Sequence, residues 1–288
     1  MPETPPSAPS SSESSAEPAG PPRPPYKAID EIPGWFQRMD MEIFKQLLDR
    51  TGERLGGGDL AELGAYLGKS AALIGWAQQP GETFTVIDLF EQEASAEENR
   101  AENEEQYAEL SQEAFEKYYL TVNDSLPNVV RGPSATIVDH AAHGTHRFVH
   151  IDASHLYEHV VEDIAAARTL LKPGGVVVFD DYRAPHTPGV AAAVWRETTK
   201  DLTPFALTQN KLYATFGDAD QWFKLVKEWL EAGSTWRMEL QNVAGHELVR
   251  VRRPAPKPKS DAQDKPGGKP ASAPAQSKRG LLARLTRR

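Results

Sequence analysis

Residues 148–182 read FVHIDASHLYEHVVEDIAAARTLLKPGGVVVFDDY, and the fold is decided here. The first run, Phe148-Val149-His150-Ile151, is short and largely apolar, and it stops on Asp152. Leu156, Val160, Ile164, Ala167 and Leu171 then recur at helical spacing, with Glu158, Glu162 and Arg168 on the other face. Lys172-Pro173-Gly174-Gly175 ends that helix, because proline cannot continue it and glycine accepts the left-handed residue that closes one. Val176 to Phe179 is apolar on both faces, as in a strand buried between two layers, and it stops on Asp180 and Asp181. Strand, helix and strand make a βαβ unit, which is right-handed in nearly all cases, so both strands end at one edge of a parallel sheet. Open α/β sheets bind ligands at that carboxyl edge, which makes its acids the first site candidates.

Working outward, Ile43, Phe44, Leu47 and Leu48 share one helical face, with Asp40 as the expected N-cap. Leu60 to Leu63 is a short strand. Gly64 to Ser70 is a loop that turns into a helix reaching about Gln78. Phe84 to Leu89 is a second strand, ending near Asp88, and Val129-Val130 a weak third. Between them, residues 92–120 form a long helical stretch with Tyr107, Leu110, Ala114 and Tyr118 on one face. Its many glutamates mark either a solvated face or an acidic lid over the site. After Asp181 the pattern turns antiparallel, with one hairpin around Gln209-Asn210 and another around Ala244-Gly245. The expectation is a three-layer α/β fold, mostly parallel, with an antiparallel edge.

Composition places limits on function. Residues 1–25 and 254–288 are rich in Pro, Ser, Ala and Gly or Lys, cannot bury a core, and read as disordered tails around one domain at 26–253. The formal net charge is −9, with +7 on residues 254–288 and −2 on 1–25, which leaves −14 on the domain. So acidic a domain argues against nucleic acid as the substrate. The basic tail, ending GLLARLTRR, has a one-sided apolar trace suited at most to an anionic surface. There is no cysteine, hence no disulfide framework and no thiolate nucleophile. With no signal-like N-terminus and no apolar run of spanning length, a cytoplasmic protein without a membrane span is expected. The six tryptophans sit mostly at helical spacing or strand ends and read as core. Nothing in the chain fixes its oligomeric state.

The loop Glu62-x-Gly64-x-x-x-Gly68-x-Ser70 sits where a strand meets a helix. Gly64 permits a tight bend, Gly68 close packing, and the helix start offers unpaired N–H groups. Asp88, ending the next strand, is placed to take ribose hydroxyls. The spacing is not the Gly-x-Gly-x-x-Gly of dinucleotide proteins, which disfavours a nicotinamide oxidoreductase. With I-D-x-x-H-x-Y at 151–157 and L-L-K-P-G-G-V-x-V-F-D-D-Y at 170–182, the chain resembles the class I S-adenosylmethionine-dependent methyltransferases. Within them it looks most like the branch of metal-dependent O-methyltransferases of macrolide and aminocoumarin sugars.

The resemblance covers roughly residues 59–216 and implies a Rossmann-like sheet with the cofactor held by Glu62, Gly64, Gly68, Ser70, Asp88 and Ser134. It further implies that Asp152, Asp180 and Asp181 hold a divalent cation such as Mg²⁺. His155, with Asp152, would take the proton of a hydroxylated small-molecule acceptor. Where relatives commonly read Asp-Gly-Asp-His, this chain reads Asp152-Ala153-Ser154-His155, one acid short. The alternative reading is a non-catalytic cofactor-binding or scaffold protein that keeps the fold.

Overall fold

Val176 and Val178 of the deciding run face one core, and Val177 and Phe179 face another. That is what a strand covered on both sides requires. The structure is a computed structural model, and it describes residues 24–92, 96–97 and 110–254. Its strands are β1 (Asp59–Leu63), β2 (Phe84–Asp88), β3 (Asn128–Arg131), β4 (His146–Ile151), β5 (Leu171–Phe179), β6 (Leu202–Leu207), β7 (Leu212–Phe216), β8 (Arg237–Val243) and β9 (His246–Arg252). They form one sheet in the order β3-β2-β1-β4-β5-β7-β6-β9-β8. The first five are parallel to their neighbours. β7 then runs antiparallel to β5, and β8 antiparallel to β9 at the far edge. Strand order reverses between β1 and β4, so the loops leaving them diverge and open a crevice.

One face carries α1 (Tyr26–Glu31), α2 (Arg38–Leu55), α3 (Lys69–Trp76), α4 (Gln112–Tyr119) and, near the C-terminus, α7 (Asp220–Glu231). Phe44, Leu73, Phe115 and Trp222 bury that layer against the sheet. The opposite face carries a 3-10 helix (Ser134–Asp139), α5 (Tyr157–Leu170) and α6 (Pro188–Glu197), anchored by Ile137, Val160, Ile164 and Val194. The three-layer fold with an antiparallel edge is therefore present. No helix among the described residues is long and apolar enough to cross a membrane.

Two local expectations are corrected, and one helix is unexpected. Asp40 does not cap α2, whose N-cap is Gln37; Asp40 lies inside the first turn, buried, and accepts a hydrogen bond of 2.8 Å from the Tyr213 hydroxyl. Lys172 to Gly175 ends α5 but also begins β5, where a bulge carries the register from His146↔Leu171 to Phe148↔Val176. α1 is not evident from the pattern, because six residues are too few to show a period. Of the 92–120 stretch, α4 packs Phe115 and Tyr119 into the core, whereas Tyr107 and most of the glutamates fall outside the described residues. Both expected tails, apart from Pro24, Pro25 and Pro254, fall outside them as well.

Candidate active site

The two loops that bound the crevice touch at Gly64. This residue has φ +80°, and a Cβ on it would lie 2.1 Å from the Asp152 carbonyl oxygen. Glycine here lets the loop after β1 close onto the loop after β4. Replacing Gly64 with alanine combines a left-handed backbone penalty with a clash against backbone that cannot move away. We expect a loss of about 2–5 kcal/mol, read from the urea midpoint. Gly68, with φ +86°, precedes α3, and a Cβ there would press on the Phe115 ring at 3.0 Å. Each of the two glycines is thus needed for a close approach.

Asp88 holds the same loop from the other side. Its Oδ2 accepts from Ala65 N at 2.7 Å and Tyr66 N at 3.1 Å, and its Oδ1 from Phe90 N at 2.9 Å. Burial raises its pKa, and these N–H donors oppose that rise. The Leu89 N–H is a fourth donor, so a ligand hydroxyl at Asp88 would share an oxygen already engaged. Asp88, Gly64, Ser70 and Ser134 all line one cavity of about 1050 Å³. Its other end is lined by Asp152, His155, Asp180 and Asp181.

At that end the four residues divide into two groups. Asp181 turns toward His155, with Oδ2 3.7 Å from Nε2, an ion-pair rather than a hydrogen-bond distance. Asp181 has φ +48°, unusual for a residue with a side chain, and its carbonyl accepts from the Thr187 hydroxyl at 2.7 Å. Asp152 and Asp180 form the second group, and with His150 they present donors within 4.8 Å of one another. Asp181 does not belong to that cluster. A buried cation lies among its donors: Lys211 Nζ is 2.7 Å from Asp180 Oδ2, 2.9 Å from His150 Nε2 and 3.9 Å from Asp152 Oδ2. A divalent ion among these groups would have to displace that ammonium, so the three-aspartate metal site does not fit the arrangement.

Part of the chain is similar to known proteins. The family described as "Methyltransferase domain" matches residues 61–182, the stretch that holds the glycine loop, Asp88 and both acid-ended strands. Over residues 61–182 the chain is thus similar to that family. The O-methyltransferase NovP is 19% identical with a TM-score of 0.50, covering 62% of this chain and 79% of its own, a likeness of fold. CalS11, a TDP-rhamnose 3'-O-methyltransferase of calicheamicin biosynthesis, is 17% identical with a TM-score of 0.43, covering 69% and 89%. An O-methyltransferase from Bacillus cereus in complex with SAH is 15% identical with a TM-score of 0.44, covering 66% and 87%. No curated protein sequence matches the chain significantly.

Within this matched stretch, Glu62 lies below the cavity rather than in its wall. It is fully buried, and its Oε1 is 2.6 Å from His150 Nδ1. Burial pushes the Glu62 carboxyl up to about 8, against the pull of the Ser70 hydroxyl and the Lys211 charge. Burial and Lys211 hold His150 well below the ordinary histidine range, so its ring is neutral. With Nδ1–H donating to Glu62, Nε2 is free to accept from Lys211. The line Ser70, Glu62, His150, Lys211, Asp180 therefore runs under the cavity from its glycine-loop end to its acid end. Burial alone would lower the pKa of Lys211, but Asp180, Asp152 and Asp40 outweigh it and raise it to about 12. Burial and the Asp180 charge raise Asp152 well above the usual carboxylate range, with Lys211 opposing.

Sequence reasoning misses Lys211 and His150 as site residues, although both lie within elements correctly expected. The signal for Lys211 is the hairpin: an antiparallel strand returning beside β5 starts where β5 ends, opposite Asp180. Trp35 is not the core residue its spacing suggests; it is 65% exposed, lines the cavity, and stacks on Tyr66 with ring centroids 5.7 Å apart.

Proposed function

We propose that the chain is an S-adenosylmethionine-dependent methyltransferase that methylates a hydroxyl group of a small molecule. The observation that carries this reading is one continuous cavity with Gly64, Asp88 and Ser134 at one end and Asp152, His155 and Asp181 at the other. At about 1050 Å³ it is at the upper end of what a single ligand needs, with room for a cofactor and an acceptor together. When bound, S-adenosylmethionine supplies a methyl group on a sulfonium sulfur, open to in-line attack by an oxygen.

The chain's own groups then divide the work. Asp88 and Ser134 hold the nucleoside, the N–H groups at the start of α3 face its polar tail, and Glu62 supports the lining residue Ser70 from below. His155 accepts the acceptor's hydroxyl proton as the oxygen attacks, and Asp181 stabilises the imidazolium that results. Asp152 lies beside it with raised proton affinity, suited to hold the acceptor's neighbouring hydroxyl. Trp35 and Tyr66 offer an aromatic face at the cavity wall against which an apolar part of the acceptor can lie. No step requires a metal ion.

Calorimetric titration with S-adenosylmethionine and S-adenosylhomocysteine tests the reading. Binding is expected, and Asp88→Asn is expected to weaken it about 10- to 100-fold, the size of one lost charge-assisted hydrogen bond. No binding heat at millimolar cofactor would sink the proposal.

A further inference from the structure

Lys211 is 2% exposed and does not line the cavity. A lysine is nonetheless costly to bury, and burial persists only where charges compensate it. Here the compensation is dense: the carboxylates of Asp180 and Asp152, the accepting Nε2 of His150, and Asp40 below. The rings of Phe36 and Phe44 close the site, with Nζ 5.4 Å and 5.8 Å from their centroids. The position follows from topology. Val178 pairs with Tyr213 and Phe179 with Leu212, so the same register sets Lys211 against Asp180 at the carboxyl edge of the sheet. Every group that could ligate a cation there already faces one.

We propose that Lys211 is the resident cation of this site, filling the position among Asp152, Asp180 and His150 that a divalent metal would need. Methyl transfer by this chain is then independent of divalent metal, and Lys211 acts as a positioning residue that fixes Asp152 and Asp180 at the acceptor end. The inference rests on the methyltransferase reading for its kinetic consequence, but its binding consequence does not need turnover.

A dipositive ion placed among the same donors would sit within a few ångströms of a fixed ammonium, a repulsion that a low-dielectric site strengthens. Mn²⁺ is therefore the direct probe. Electron paramagnetic resonance of Mn²⁺ titrated with the full chain should show no bound ion at micromolar to submillimolar metal, with or without S-adenosylhomocysteine. Once an acceptor is in hand, turnover after exhaustive chelation should stay within twofold of untreated protein, and added Mg²⁺ should not raise it. Lys211→Met keeps the volume and removes the charge that holds Asp180 and Asp152 in place. It should lower kcat for the acceptor at least tenfold while the affinity for S-adenosylhomocysteine stays within threefold. Stoichiometric Mn²⁺ binding to the unaltered chain anywhere up to submillimolar metal, or turnover lost on chelation and restored by Mg²⁺, would overturn the proposal. So would an undiminished kcat in a Lys211→Met variant that still binds cofactor. If Lys211→Met fails to fold, the Mn²⁺ titration of the unaltered chain still decides. If no acceptor is ever methylated, the functional reading falls while that titration still reports on the resident cation.

Discussion

Replacing His155 with alanine should lower kcat by about 10²- to 10⁴-fold, the range over which a positioned general base contributes. Cofactor affinity should change little, because His155 belongs to the opposite end of the cavity from Asp88 and Ser134. Position matters here before charge does. His155 lines the cavity, and its Nε2 faces the Asp181 carboxylate at 3.7 Å, which favours the imidazolium formed when the ring accepts a proton. The backbone of Asp181 takes an unusual left-handed conformation, and its carbonyl is held by the Thr187 hydroxyl. Asp181→Asn should consequently produce a smaller fall than His155→Ala and shift the acid limb of the pH profile downward, because an imidazolium without its counter-charge is less favoured. Single-turnover measurements on acceptor and cofactor separate the chemical step from product release. A His155→Ala variant with undiminished single-turnover rate would move the proton-accepting role to Asp152.

The sequence disclosed the sheet because its central strands obey a simple demand. A strand between two layers must be apolar on both faces, and Val176 to Phe179 and Phe84 to Ile87 are nearly so. The strand-end acids were legible for the same reason, since a carboxylate after such a run can only lie at the sheet edge. What could not be read was which acids would share a neighbour. Asp180 and Asp181 are adjacent in sequence, but one faces Lys211 and the other His155. That separation depends on the left-handed backbone of Asp181 and on the register of β7, neither of which leaves a local pattern. The Glu62–His150 contact is similar. The two residues are register partners across β1 and β4, 88 positions apart, and only the strand order puts them side by side. Trp35 shows the reverse problem: an aromatic next to Phe36 satisfies a core pattern, yet Phe36 is buried and Trp35 lies in the cavity wall.

A second large effect concerns stability and comes from Asp163 on α5. Its carboxyl is fully buried, the Ser134 hydroxyl approaches it, and neither oxygen has a hydrogen bond of good geometry. Burial, with a smaller push from Glu162, raises its pKa to about 7. In the unfolded chain an aspartate titrates near 3.9. Below about pH 4 both states carry the proton and there is no penalty. Between about pH 4 and 7 the unfolded chain releases it while the folded chain keeps it, so stability falls as pH rises. Above 7 both states are ionised and the penalty is constant, at most about 4 kcal/mol for a carboxyl raised to about 7. Asp163→Asn removes the titration. It should stabilise the protein at pH 8 by up to that amount and leave it nearly unchanged at pH 4, as urea unfolding at the two pH values would show. Glu62, raised to about 8, adds to the same downward slope, so the Asp163→Asn variant should retain a weaker one of its own. Ser134 lines the cavity beside this carboxyl, which gives the experiment a second readout. If the asparagine variant gains stability and keeps its affinity for S-adenosylhomocysteine, the buried charge is only a burden on the fold. If stability at pH 8 fails to rise while affinity falls, Asp163 is ionised and holds Ser134 in place for the cofactor.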